Sequence, residues 1–354
     1  TSTDLKLING TGLGVAGDTT FAGNVIYNDS VKLILGTDSD LEFFHNGSSA
    51  LLQNSTGNLT IRDTNGNVII EGKTNQKHIQ CVADGSTELY EAGNKKLETT
   101  TTGVSVTGAI TGTTDATINS INIGKGANSV TGNTVLGEDA LDAAVTGQFN
   151  TAIGKLALTA NTSGLANTGV GFKALEDNTT GTLNTAVGQD ALANNTTASN
   201  NTGIGKSALK ANTTGTQNVA VGSEALENNT TGSGHVAVGR EALHLNTTGS
   251  ENTAMGYGAL ANNTTGDYNT GIGREALQMN TTASNNTAVG YQALEENTTG
   301  HSNVAVGSLA GYENTTGQNN VYVGYYAGEG GTTGESNTAI GKEASRLNLT
   351  GNSN

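Results

Sequence analysis

From residue 133 onward the chain repeats one phrase, N-T-A-V-G-x-x-A-L-x-x-N-T-T-G-x-x. Its first residue falls at 133, 150, 167, 184, 201, 218, 235, 252, 269, 286, 303, 320 and 337, every step being seventeen. Thirteen units fill 133–353. A strict period of this kind marks a solenoid. A seventeen-residue unit with one short apolar run cannot offset the entropy of ordering its own backbone. Stacked copies can, because each rung gives the next a β ladder and a shared apolar column. At ~4.8 Å per rung the array makes a rod of roughly 60 Å.

Within the unit, position 4 is apolar throughout, from Leu136 and Ile153 to Val323 and Ile340, and position 2 is Thr or Val. Two apart in a strand, these residues share one face. They are expected to form the internal apolar column. Position 3 points the other way and is Ala or Gly in eleven of thirteen units, with only Val135 and Tyr322 departing. Small residues there predict close packing against a neighbouring chain, and hence a parallel homotrimer. Gly stands at position 5 in all thirteen units, which predicts a bend that a Cβ would hinder. Positions 12–15, mostly NTTG or NTTA, read as a second corner. Positions 6–11 (REALHL, YQALEE, SEALEN) are rich in helix formers and favour one helical turn over a second strand. The phrase SINIG ends at Gly124, thirteen residues before Gly137, and reads as a short first rung without that turn.

Residues 1–115 are a different text. Short alternating runs such as VKLILG, LEFFHNG, NVIIEG and TELYEAG are punctuated by Gly, Asn and Asp every 8–12 residues, the pattern of small hairpins. TNGN is a hairpin signal. Residues 116–132 read as a transition holding the short first rung, and 133–354 as the solenoid. The fold class expected is all-β: a β-roll-like parallel β-solenoid preceded by a β-rich shaft.

The chemistry carried by the side chains is sparse. The chain has 51 glycines, no proline and no tryptophan, and its net charge is −15. Without a basic patch, nucleic acid is not an expected partner. Cys81 is the sole cysteine, so no intrachain disulfide can form, and HIQCV reads as a strand with a buried thiol. No run of 18 apolar residues occurs, so insertion into a membrane is not expected. The start lacks both Met and a signal-like segment, as in a fragment or processed piece. No phosphate loop, nucleophile elbow, HExxH or paired CxxC is present. The five histidines have no ligand spacing, and DTNGNVIIE has its Gly too early for a calcium loop. No catalytic, cofactor or metal residue is therefore assigned, and the chain reads as no enzyme. Carboxylate pairs such as Glu295 and Glu296 fall at variable unit positions, as on a solvated face. The NTT triplets match glycosylation acceptors, but they recur because the corner recurs, and stacked Asn side chains can form ladders.

SINIG and the NTAVG–AL units are similar to the NSVAIG-type repeats of trimeric autotransporter adhesin heads, the YadA-like β-roll. The longer NTAVGxxALxxNTTG form resembles repeats of bacteriophage tail-fibre proteins, many from marine phages. GDTTFAGNV, DLEFFHNGSSALLQNSTGNLTI and TELYEAGNKKLETTTTGVSVTG resemble shaft segments of the same fibres. The resemblance implies a homotrimeric structural fibre of a phage virion, a spacer that reaches a host surface. Its partners would be other virion proteins and a host-surface glycan or protein. The alternative is an adhesin head on a bacterial cell surface. Seven of nine tyrosines lie from Tyr257 onward, and Tyr312, Tyr322, Tyr325 and Tyr326 crowd two units where the Leu column fails at Gly311 and Gly328. These four are the candidate receptor or partner contact, with a locally repacked corner as the other reading.

Overall fold

The computed structural model describes residues 32–353 except 36–40, 46, 56–57, 65, 73–76, 84, 108–115, 119, 144 and 348–349. The chain divides into two compact units, 1–110 and 111–354. The description is all-β in both.

The first unit holds two antiparallel sheets. One is β1 (Lys32–Leu35), β2 (Leu41–His45) and β3 (Ala50–Asn54). The other is β4 (Val68–Glu71), β5 (Lys77–Cys81), β6 (Thr87–Glu91), β7 (Asn94–Thr100) and β8 (Gly103–Val106), in sequential order. EAGN is a two-residue hairpin: Glu91 pairs with Asn94, and Ala92 and Gly93 both take positive φ, 48° and 79°, as a primed turn between twisted strands requires. TNGN does not join paired strands, since β3 and β4 belong to different sheets; there the Asp63 carboxylate accepts the Gly66 N–H at 3.1 Å. The strand expected at HIQCV is present, but Cys81 is exposed rather than buried. Burial is inverted elsewhere too. Ile34, Phe43, Leu52, Ile70 and Val104 are exposed, while Glu42 and Glu88 are buried and held by Lys32 at 2.6 Å and Lys95 at 3.1 Å. Tyr90 and Lys95 hold the Glu88 carboxyl below its usual range.

The second unit is the solenoid. Thirteen strands, β11 (Thr134–Gly137) and then β12 (Thr151–Ile153) to β23 (Thr338–Ile340), one per repeat, form a parallel sheet. Strand residues at unit positions 2, 3 and 4 pair with those seventeen further on, as in Thr151↔Thr168 and Ile153↔Val170. SINIG is not a first rung. β10 (Ile121–Gly124) runs antiparallel to β11, with Ile123 opposite Leu136, and β9 (Ala116–Ile118) runs antiparallel to β10. A short antiparallel pair thus covers the edge that the first parallel strand would otherwise expose.

The two faces of the strand are reversed from expectation. Position 3 points into the coil: Ala152, Ala186, Ala220 and Ala288 are 0% exposed. There they meet the alanines of position 8 and ten consecutive leucines of position 9, Leu141 to Leu294, all fully buried. Small residues line the strand because the coil is narrow. A Cβ on Gly169 would stand 3.1 Å from the Ala174 carbonyl and 3.4 Å from Leu158. The position 4 column lies outside, so the expected internal stack of Val, Ile and Leu does not exist.

Positions 6–11 form neither a helical turn nor a strand. They are successive turns in which positions 7 and 9 take left-handed conformations, for example Lys173 (φ 61°) and Leu175 (φ 55°). Rung-to-rung bonds hold them: Leu175 N–H donates to Ala191 O at 3.0 Å, and Lys173 N–H to Lys155 O at 3.0 Å. A helix would turn these donors inward along its own axis; the solenoid needs them for its neighbours. Position 5 bends as expected. From Gly154 to Gly341 it has φ between 121° and 138°, and a Cβ on Gly222 would stand 2.5 Å from the Gly239 carbonyl oxygen.

Two asparagine ladders close the corners. At position 1, Asn184 Oδ1 accepts the Asn201 N–H at 3.0 Å, and Asn201 Nδ2 donates to Gly215 O at 2.8 Å. At position 12, Asn212 Nδ2 donates to Asn195 Oδ1 at 3.1 Å and to Gly215 O at 2.9 Å. Both ladders are buried, with Asn161 to Asn314 at position 12 fully so. The NTT triplets are therefore internal struts, and a glycan on their asparagines has no room in the folded coil.

Candidate interaction surfaces

The outward face of the solenoid sheet is built by positions 2 and 4. Position 2 presents Thr, or Val at Val219, Val236, Val304 and Val321; position 4 presents Ile, Val, Leu or Met. Ile204 is 39% exposed and Met255 42%, and the remaining position 4 residues are half-buried or exposed. The two ranks carry no charge over thirteen rungs. At roughly 40 Å² for each of the thirteen position 4 side chains and the four position 2 valines, the apolar part of the strip amounts to on the order of 700 Å², beyond the few hundred Å² usual for an apolar patch on a monomer. Sequence reasoning found these residues but placed them inside. Alternation says which residues share a face; it does not say which face is inner.

The four candidate tyrosines do not form one patch. Tyr322, at position 3, is 2% exposed and belongs to the core, so it is corrected from a contact to a packing residue. It fills the space left where position 9 is Gly311 and Gly328, and burial pushes its hydroxyl up to about 12. Tyr325 and Tyr326 lie at the surface with ring centroids 4.2 Å apart, edge to face. Arg346 stacks over Tyr326 at 4.5 Å and pairs with Glu329. Tyr312 is half-buried at position 10, and burial, then Glu295 and Glu296, raise its hydroxyl.

A second aromatic feature was legible in the register but not singled out. Position 6 reads Arg240, Tyr257, Arg274, Tyr291 over four successive rungs. Arg240 and Arg274 sit over Tyr257 at 5.8 and 5.7 Å, and Arg274 over Tyr291 at 5.8 Å. Tyr257 thus has a cation over it from the rung on each side, and Glu241 and Glu275 pair with the guanidiniums at 2.6 and 3.0 Å. With both its neighbours stacked along the rod, the ladder is a brace between rungs.

A groove of about 350 Å³ is lined by Met279, Glu295, Glu296, Thr298 and Thr315. Burial, then repulsion from Glu275 and Glu296, pushes the Glu295 carboxyl above its usual range. Among the described residues, no cluster of three or more His, Cys, Asp or Glu is placed to hold a metal ion, and no helix is long and apolar enough to cross a membrane. Comparison with known proteins gives no match to any family model, curated protein or solved structure.

Proposed function

We propose that the chain is a structural fibre protein of a phage virion, a tail fibre or similar appendage, whose repeats act as a rigid spacer. The observation that supports this best is the sameness of the rungs. Each pairs with the next at a shift of seventeen through the same backbone ladder, and all but a few carry the same two asparagine links, so length is set by counting units while the surface hardly changes. The shaft resemblance of the first region supports a virion appendage over other rods.

In this reading the fibre is a parallel homotrimer, and the copies meet through the outward ranks at positions 2 and 4. The strip is about as large as the ~800 Å² that each partner contributes to a stable interface. The first unit points the same way. Its sheets leave Phe43, Ile70 and Val104 in water, and a sheet with one apolar face needs a second layer to bury it. A second chain supplies that layer. Attachment to a host-surface glycan or protein then falls to exposed groups on the tyrosine-bearing rungs, of which Tyr325 is the most accessible of the candidate tyrosines, 46% exposed.

Gold-labelled antibody against residues 133–353, applied to purified virions and to bacterial cells, tests the assignment. Label on a virion appendage is expected. Label confined to a bacterial envelope would replace it with the adhesin-head reading.

A further inference from the structure

The position 1 ladder contains one titratable link. Twelve units have Asn there and the seventh of thirteen has His235, so the exception stands at the middle of the rod. The imidazole reproduces the asparagine amide atom for atom. Its backbone N–H donates to Asn218 Oδ1 at 3.0 Å, its Nδ1 accepts the Asn252 N–H at 3.2 Å, and its Nε2 lies 2.7 Å from Gly249 O. The Asn252 N–H can only donate and the Gly249 carbonyl can only accept. The ring is therefore held as the neutral Nε2–H tautomer. His235 is fully buried, so water cannot take over either bond.

We propose that His235 makes the seventh rung an acid-opened joint, at which the solenoid loosens into two half-rods when the imidazole gains a proton. The proton must go to Nδ1, where it would face the Asn252 N–H. Two donors then oppose each other in a dry site, and the position 1 link from rung 7 to rung 8 is lost. The surroundings offer little relief. Asn218, Asn246, Asn252 and the Gly249 carbonyl are uncharged, and Asn246 Nδ2 already stands 3.2 Å from Nε2. Asp267, the carboxylate whose charge bears on the ring, is engaged by the Ser250 N–H at 2.7 Å, and Glu251 is exposed beside Gly234. Burial holds the ring at about 4, against an ordinary value of 6.5. An opened, water-exposed imidazole regains the ordinary value. Opening is thus unaffected above pH ~6.5, and grows as pH falls from there to about 4, by on the order of 100-fold.

Hydrogen exchange of the full-length protein, read by mass spectrometry and corrected for intrinsic rates, tests this. Peptides covering 235–252 should be protected like those covering 184–201 at pH 7, and should exchange on the order of 100-fold faster than them at pH 4. His235→Asn, which restores the residue of the other twelve rungs, should abolish the difference. Asn201→His should create a second labile rung; if that variant does not fold, His235→Asn decides alone. Uniform protection along the rod at pH 4, or unchanged lability in His235→Asn, would overturn the proposal.

Discussion

A Cβ added to Gly328 would lie 2.2 Å from Cδ1 of Tyr322, and one added to Gly311 would lie 2.5 Å from its Cδ2. One tyrosine on the strand thus occupies the space that two leucines of position 9 fill in the rungs below. The three positions are one packing unit and should behave as such under mutation. Gly328→Leu alone should destabilise by about 1–3 kcal/mol through overpacking. Tyr322→Ala alone should cost about 3–5 kcal/mol through the cavity. The triple variant Tyr322→Ala, Gly311→Leu, Gly328→Leu rebuilds the common rung and should recover most of both. Denaturant melts of the four proteins check this; additive losses in the triple variant would mean that the three residues do not share a site.

The reversed strand faces give a paired test. Ala220 is inside the coil and Val221 outside. Ala220→Asp places a carboxylate in a dry, narrow interior and should cost several kcal/mol, seen as a lower thermal midpoint and loss of β signal by circular dichroism. Val221→Asp should leave the coil folded and act on association between chains. Equal unfolding in the two variants would return position 4 to the interior.

The asparagine ladders should be stiff to replacement. Asn212→Ala removes the donor to Asn195 Oδ1 and the acceptor for Asn229 Nδ2, and strips Gly215 O of one of its two amide donors. Leaving those buried groups short of partners should cost about 2–4 kcal/mol. Thr214→Ala, two residues along and exposed, should change stability by under ~0.5 kcal/mol. Urea titration of both variants gives the comparison directly; similar midpoints would show the ladder to be ornamental.

Gly222 tests the corner. Its φ is 138°, and a Cβ would press on the Gly239 carbonyl of the next rung. Gly222→Ala should therefore be worse than the ~1 kcal/mol that a glycine replacement costs from backbone preference alone. Deleting one whole unit, 184–200, should be tolerated, because Asn201 then takes the place of Asn184. The rod should shorten by ~4.8 Å. Small-angle scattering of the deletion protein measures this, and gross unfolding would contradict the modular account.

Much of this architecture was legible in the residues. The seventeen-residue period fixed the strand register, and invariant glycine at position 5 fixed the bend. Three features that were not legible each have a physical reason. Alternation at positions 2, 3 and 4 defines two faces, but small size at position 3 fits a narrow coil as well as a neighbouring chain. Ala, Leu and Glu at positions 6–11 favour helix in isolation, yet the donors there are taken by adjacent rungs, and left-handed residues such as Lys173 and Leu175 carry no residue-type signature. Tyr322 stands out in the sequence beside Gly311 and Gly328, but composition alone cannot tell a filled core from a surface patch. The position 6 ladder from Arg240 to Tyr291 could have been found by aligning the units and reading down each column.

The exposed, uncharged ranks at positions 2 and 4 are the feature on which the fibre account turns. Multi-angle light scattering of the full chain, beside a variant with Val187→Lys, Ile204→Lys and Val221→Lys, tests it most directly. The account predicts a wild-type mass three times 35.7 kDa. In the variant, an uninterrupted stretch of like charge on the contact face should give single chains whose solenoid still shows its β signal. A wild-type mass of one chain, or a variant that stays associated, would contradict it.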